Sequence, residues 1–366
     1  MRFYIAKTDL VDILNTVSKG MSSRSTLPIL SGILLDALDD KVTFQTTDLE
    51  VSIKHTALAS VEEGGRTVIP GKLFGDIVKA LPDAAVCVAT TGEQVTISCM
   101  DSSFTLSTLN PVDFPYFPSV DTQQQVTLPS RDLADIVRKV GKAVSRDEAR
   151  AILTGILFTI EGGKVRMAAT DSYRLAVAEM ELEEAGDEEF TAIIPGKIFE
   201  DVSKLAAGYE RVTVAFSENQ IVFSFGSTIL VSRKIEGTYP NYRQLLPKET
   251  ATTVRIQVSD LVTAVKRVSL LAQAHTPVKF SISADEQKIV ISAKTQDVGG
   301  ATESVAALVE GESMDIAFNH QYILDGLSCI SDECVLQLQT SLKPGTIRQS
   351  GAEETFVYLA MPVRLS

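Results

Sequence analysis

Apolar residues recur along the chain with a helical period, and one stripe is written three times. Leu10, Ile13, Leu14, Val17 and Met21 stand at steps of 3, 4, 7 and 11 from the first. Leu133, Ile136, Val137, Val140 and Val144 repeat those steps 123 residues on, and Leu261, Ala264, Val265, Val268 and Ala272 repeat them 128 residues later. Apolar positions so spaced share one face of a helix. Thr8-Asp9, Ser130-Arg131-Asp132 and Ser259-Asp260 precede the stripes and predict an N-cap for each helix.

A second helical pattern follows each first one. RTVIPGKLFGDIVKAL, from Arg66 to Leu81, returns as TAIIPGKIFEDVSKLA, from Thr191 to Ala206, at an offset of 125 residues. Each copy is a β-branched run, a Pro-Gly turn and apolar residues at helical spacing, such as Phe74, Ile77, Val78 and Leu81, which reads strand, turn, helix. Pro82 ends the first of them. MDIAFNHQYILDGL, from Met314, takes the same place a third time, with Asn319 standing 123 residues after Gly196. Between the helices lie alternating runs that predict strands, among them Ile33 to Leu38, Ile156 to Phe158, Val212 to Phe216 and Lys288 onward. NPVDFPYFPSV and GTYPNYRQLLP are too rich in proline for helix or central strand and read as linkers. Thr170-Asp171 in a polar corner answers Thr47-Asp48 at an offset of 123, and Tyr239-Pro240 answers Phe114-Pro115 at 125.

A fixed period across the whole chain is architecture. The pattern predicts an α+β fold of three repeated domains, each with two helices on one face of antiparallel sheets, divided as 1–120, 121–248 and 249–366. An open row of three such units leaves a sheet edge exposed at each end, and head-to-tail pairing of two chains would close six units into a ring. Twelve helices side by side at about 8–10 Å would line a circle about 30–38 Å across. That leaves an opening of at least about 20 Å, wide enough for a nucleic-acid duplex.

Composition narrows the chemistry. The chain has 366 residues and carries a formal net charge of −13, which counts against a nucleic-acid partner if the charge is spread evenly. It is not spread evenly: the six predicted helix segments sum to +4, which leaves −17 for everything else. Basic helices in an acidic body fit a lined hole that holds a polyanion by its backbone without reading sequence. The glycine and lysine opening the second helix resemble a phosphate-binding loop, but Leu73 and Ile198 follow the lysine where that motif needs a hydroxyl. Cys87, Cys99, Cys329 and Cys334 lack metal or disulfide spacing and read as free thiols. His55, His275 and His320 are scattered, so neither a zinc site nor a histidine-based triad is expected. No apolar run reaches the length of a membrane span and no signal-peptide core opens the chain, so no membrane partner and a cytoplasmic protein are expected.

The triplicated plan, TLPILSGILL at Thr26, the doubled IPGK helix, ATDSYRLA at 169–176, GTYPNYRQLLP at 237–247 and the terminal MPVRL together resemble the β subunit family of bacterial DNA polymerase III, the sliding clamps. The resemblance spans the chain. It implies a DNA-clamp fold closing into a six-domain ring as a head-to-tail homodimer around duplex DNA, with no cofactor and no catalysis. It also implies a clamp loader to open the ring, and docking of the polymerase III catalytic subunit and other clamp-binding-motif proteins by short peptides.

By the same resemblance, Arg24, Lys72 and Lys197 fall on DNA-contacting or basic pore positions. Ahead of Leu153, where other members carry an amide and aromatic residues that touch DNA, this chain has Asp147, Ala151 and Ile152. Arg146 and Arg150, read as one helical turn apart, are the expected replacements. The implied docking pocket comprises Leu153, Thr170, Ser172, Tyr173, Arg174, Leu175, Pro240, Gln244, Leu245, Leu359, Met361, Pro362, Val363 and Arg364, with Ser172 and Tyr173 standing where other members often have glycine and histidine. Phe104 and Leu106 of one chain are expected to meet Leu270 and Leu271 of the other. Two other readings remain: a hydrolase or transferase using Asp171, and a peptide-binding scaffold of three repeats that does not bind DNA. Asp48 in the parallel place favours a turn role for Asp171.

Overall fold

A computed structural model describes residues 1–22, 26–121, 124–182, 189–272, 277–296, 298–351 and 355–364. Its six α-helices among the described residues are α1 (Lys7–Val17), α2 (Gly71–Ala80), α3 (Ser130–Gly141), α4 (Gly196–Leu205), α5 (Val258–Ser269) and α6 (His320–Leu327). The strand pairings are antiparallel, and the class is α+β.

The chain divides into two compact units. The first, Met1–Arg131 with Asp201–Lys234, holds two sheets. Five strands run in the order Ser60–Glu63, Arg2–Ala6, Ala85–Thr91, Gln94–Cys99, Ser102–Ser107. Eight run in the order Gln124–Pro129, Arg211–Phe216, Gln220–Phe225, Thr228–Arg233, Val51–Leu58, Lys41–Thr47, Gly32–Leu38, Gly65–Pro70. The joint that makes this sheet continuous is Val51–Leu58 against Thr228–Arg233, where a strand of the first repeat pairs with one of the second. α1 buries Leu10, Ile13, Leu14 and Val17 and packs against α2, which buries Phe74, Ile77 and Val78.

The second unit, Asp132–Glu200 with Ile235–Ser366, repeats the plan. Nine strands run in the order Phe190–Pro195, Gly155–Glu161, Lys164–Thr170, Arg174–Glu181, Phe356–Ala360, Gly345–Gln349, Glu333–Leu338, Thr252–Gln257, Leu308–Gly311. Here the joint is Arg174–Glu181 against Phe356–Ala360. Four more run Gly299–Ala306, Lys288–Thr295, Val278–Ser283, Met314–Phe318, and α5 packs against α6.

The start signals do not cap as expected. α1 begins at Lys7 and α5 at Val258, after Ala6 and Gln257, and neither cap residue makes a side-chain capping bond. Thr8-Asp9 and Ser259-Asp260 lie inside the first turn, and α3 begins at Ser130 itself. The reason is tertiary. In each repeat a strand runs straight into the helix, and the first helical N–H donates to a neighbouring backbone carbonyl: Lys7 to Ala84 at 3.2 Å, Ser130 to Glu210 at 2.9 Å and Val258 to Asp332 at 2.7 Å.

The fifth position of each stripe also leaves its helix, since α1 ends at Val17, α3 at Gly141 and α5 at Ser269. Two of these residues have a packing task that explains the Pro-Gly glycine. A Cβ on Gly71 would lie 2.2 Å from Met21 Sδ and 3.1 Å from the Ser31 carbonyl; one on Gly196 would lie 3.0 Å from both Val144 methyls and 3.2 Å from the Thr154 carbonyl. The glycine permits close packing under the second helix. In the third repeat Asn319 caps α6, its side chain accepting from the Gln321 N–H at 2.9 Å.

Candidate functional site

The corner between strands Lys164–Thr170 and Arg174–Glu181 is built by its own polar atoms. The Thr170 hydroxyl donates to the Arg174 carbonyl at 2.6 Å and accepts from the Ser172 N–H at 3.2 Å. Asp171 Oδ1 accepts from the N–H groups of Tyr173 (2.9 Å) and Arg174 (3.0 Å). Ser172 is thereby held at φ 80°, in the left-handed region that bulky residues avoid. With one oxygen on these amides and the other on Arg174 at 2.9 Å, Asp171 is a turn residue.

Leaving the corner, the chain pairs with the last strand, Arg174 opposite Ala360 and Leu175 opposite Leu359. Leu175 and Leu359 are buried in a cluster with Ala168, Val177, Tyr242 and Val357, against which Leu157 and Leu246 pack. Past the strand, the Met361 N–H donates to the Tyr173 carbonyl and the Val363 N–H to the Ala317 carbonyl of the four-stranded sheet, each at 2.8 Å. The tail's backbone is tied down while its side chains are not, for Met361 is 37% exposed and Val363 38%. Leu245 and Tyr173 are also exposed, Pro240 and Gln244 are exposed on the linker, Pro362 is half-buried, and Leu153 is buried. An apolar band with a buried floor results.

Arg174 fixes the rim electrostatically. Its guanidinium pairs with Asp171 and with Asp325 of α6 and lies 4.6 Å over the Tyr322 ring, which stacks on Tyr173 at 6.5 Å. Burial opposes the charge, yet Tyr358, Asp325 and Asp171 hold it above the ordinary guanidinium value. Arg364 is exposed at the chain end. Beside the linker lies a cavity of about 390 Å³ lined by Leu157, Thr159, Thr191, Tyr239 and Tyr242; of the expected pocket residues it takes in Pro240.

The basic positions divide. Lys72 and Lys197 are exposed and occupy the same place, second residue of α2 and of α4. Arg24 lies outside the described residues. Arg146 and Arg150 do not share a helix turn: α3 ends at Gly141, the segment Glu148–Thr154 is 3-10, and Arg150 has φ −112° and ψ 63°. Asp147 causes the break, its Oδ1 accepting from the Ala149 N–H at 3.1 Å and its Oδ2 from Arg150 Nε at 2.9 Å. Arg150 reaches on to the Ser172 hydroxyl at 3.0 Å, which brings it to the rim of the apolar band. Phe104, 41% exposed, and half-buried Leu106 lie on Ser102–Ser107, which ends its sheet; Leu270, just past α5, is 83% exposed, and Leu271 is half-buried.

The DNA polymerase III beta subunit domains match in succession, the N-terminal domain at residues 1–118, the central domain at 127–241 and the C-terminal domain at 243–364. The chain belongs to the DNA polymerase III beta subunit family. It is 34% identical over 379 residues to the beta sliding clamp of Streptomyces coelicolor and 32% over 378 residues to that of Bacillus subtilis, with 100% of each chain covered. The crystal structure of the Bacillus subtilis sliding clamp matches with a TM-score of 0.95 at 31% identity, and that of a Pseudomonas aeruginosa clamp bound to griselimycin with 0.94 at 25%, each over 100% of both chains. The fold is that of the family, three repeats of one α+β plan.

Four residues that shape the band escaped sequence reasoning: Tyr239, Tyr242, Tyr322 and Asp325. Tyr239 carried a usable signal as the repeat partner of Phe114. Its hydroxyl accepts from the Thr170 N–H at 3.1 Å, fastening the linker to the corner. Burial pushes that phenol well above its ordinary pKa, so it stays protonated. Tyr322 and Asp325 come from α6, more than 140 residues from the corner, and nothing local marks them. None of the described helices is long and apolar enough to cross a membrane.

Proposed function

We propose that this chain is a processivity clamp. Two copies pair head to tail, six repeats surround duplex DNA, and the apolar band around Leu175 and Leu359 tethers the replicative polymerase and other DNA-handling proteins by short peptides. The observation that carries the reading is that three consecutive domains of one clamp family match residues 1–118, 127–241 and 243–364. The clamp itself does no chemistry and needs no cofactor; the polymerase III catalytic subunit and a loader that opens the ring are its partners. Lys72 and Lys197, with Arg24 and Arg146, face the DNA backbone on this reading, Arg150 being turned to the rim of the band by Asp147 and Ser172, and the three domains divide near residues 120 and 248.

Two features support the assembly and the pocket. Ser102–Ser107 ends one sheet and Gly299–Ala306 another, and each has apolar side chains beside it, Phe104 and Leu270, that the chain leaves exposed. Edges of this kind are covered in stable proteins. The band in turn offers aliphatic floor, methionine and arginine rim, which suits an extended peptide with aliphatic or aromatic anchors. The deciding experiment loads the protein onto nicked circular duplex DNA with a loader and ATP and follows retention by gel filtration. Retention until the circle is linearised is expected, with loss of retention when Leu270→Ala and Leu271→Ala open the seam. Elution from circle and linear DNA alike overturns the clamp reading and leaves the peptide-binding scaffold.

A further inference from the structure

The two sheet edges that the proposed assembly brings together are nearly free of charge. Ser102–Ser107 reads SSFTLS and Gly299–Ala306 reads GGATESVA, so Glu303 is the one charged side chain on the two strands. Each strand ends its sheet. Register places Glu303 opposite Ile291, between Ala301 opposite Ala293 and Val305 opposite Ile289. Ile289, Ile291 and Ala293 are buried, so the carboxylate stands on the inner, apolar face of an edge strand. A charge pointing inward at an edge is a device that keeps other strands from pairing there.

Here the charge is cancelled from within the chain. Arg267, in the last turn of α5, donates from Nε to Oε1 at 2.6 Å and from Nη2 to Oε2 at 2.8 Å, a two-point grip on both carboxylate oxygens. The guanidinium holds the Glu303 carboxyl below its usual range. The pair is partly open to solvent, and such a pair adds little to the stability of a single chain. Its worth changes once a strand covers it. A carboxylate taken out of water alone is costly, whereas one already gripped carries its compensation with it. The same grip ties the end of α5 to the edge, and exposed Leu270 follows three residues on.

We infer that Arg267 makes the Gly299–Ala306 edge fit to be covered by Ser102–Ser107 of a second copy, by neutralising Glu303 within its own chain. The inference rests on the clamp reading and deepens it: Arg267 is a positioning residue of the seam, and the small Ala301 and Val305 beside a cancelled charge take the bulkier Phe104 and Leu106. Sedimentation velocity of the full chain over a concentration series is the test. Arg267→Gln should raise the dimer dissociation constant about ten-fold or more, because the carboxylate is then covered alone. Adding Glu303→Gln to it should recover most of that loss, whereas a pair that only braces the fold would leave the double variant no tighter than the single one. Glu303→Gln by itself should weaken the dimer less, since the long arginine can swing its charge out to water. Circular dichroism and Tm check that each variant is folded, and the recovery in the double variant does not depend on the single one being well behaved. Wild-type dimerisation of Arg267→Gln, or no recovery in the double variant, overturns the inference and leaves the clamp reading standing. So does a loss of duplex affinity in Arg267→Gln with dimerisation unchanged, which assigns the arginine to the DNA backbone. An unaltered chain that stays monomeric throughout overturns the inference together with the reading on which it rests.

Discussion

The corners at Thr47–Val51 and Thr170–Arg174 have one backbone and two different fates. In each, the threonine hydroxyl donates to the carbonyl four residues on (3.0 and 2.6 Å) and accepts from the N–H two residues on (3.0 and 3.2 Å). In each, the aspartate accepts from the N–H groups two and three residues on, and the residue right after the aspartate sits at positive φ, 79° at Leu49 and 80° at Ser172. Each corner also launches a strand that joins its sheet to another repeat. What differs is the outgoing side chains. Val51 and Ser52 stand where Arg174 and Leu175 stand, and Phe114, packed on Leu34 and Val68, stands where Tyr239 hydrogen-bonds the corner. A repeat supplies the scaffold twice, and a few substitutions at fixed positions turn one copy into a candidate binding surface.

The sharpest way to test that contrast is to remove Arg174. Replacing it by Met strands Asp171 and Asp325, both mostly buried, and breaking such a pair costs about 3–5 kcal/mol. Val51→Ala at the first corner should cost only about 1 kcal/mol. Urea unfolding of the two variants checks this, and equal losses would mean that the Arg174 network adds nothing to the shared corner.

Peptide binding should separate the corners next. Leu175→Ser, which gives the second corner the residue of the first, and Met361→Asp should each weaken a polymerase-derived QL-type peptide by about a hundred-fold, close to 2.7 kcal/mol. Deleting residues 362–366 should do the same with folding and dimerisation intact. Titration calorimetry against the folded variants is the measurement, and unchanged affinity in the truncated protein sinks the docking assignment.

The smallest effect distinguishes the two sheet joints. His55, on the first, lies 2.8 Å from the Thr228 hydroxyl, and Ala178 holds its place on the second. Burial lowers its pKa, so the folded chain resists a proton that the unfolded chain accepts below about pH 6.5. Stability is therefore full above that pH and declines as pH falls through it toward the lower folded value. His55→Gln should narrow the difference in Tm between pH 7.5 and 5.5; an identical difference would show that the first joint is not acid-sensitive.

Three repeats, their two helices apiece, the linkers and the quasi-equivalent corners were legible in the sequence because each rests on local period or local polar chemistry. A 3, 4, 7 stripe faces one way on any helix, and a Thr-Asp corner closes its own hydrogen bonds within five residues. Helix starts were misread because the first amide of each helix finds its acceptor in a carbonyl distant in sequence, as Lys7 does at Ala84, and no nearby cap is then required. The proposed docking band had a sequence signal mainly in apolar residues with no local task, such as Met361 and Val363. That Arg174 is held by Asp325, that Tyr322 stacks on Tyr173, and that the turn at Asp147 swings Arg150 to the band instead of along a helix were decided only in three dimensions. Pairing of the strands Arg174–Glu181 and Phe356–Ala360 brings together residues some 180 apart, and contacts made across such a joint leave no periodic trace in the chain.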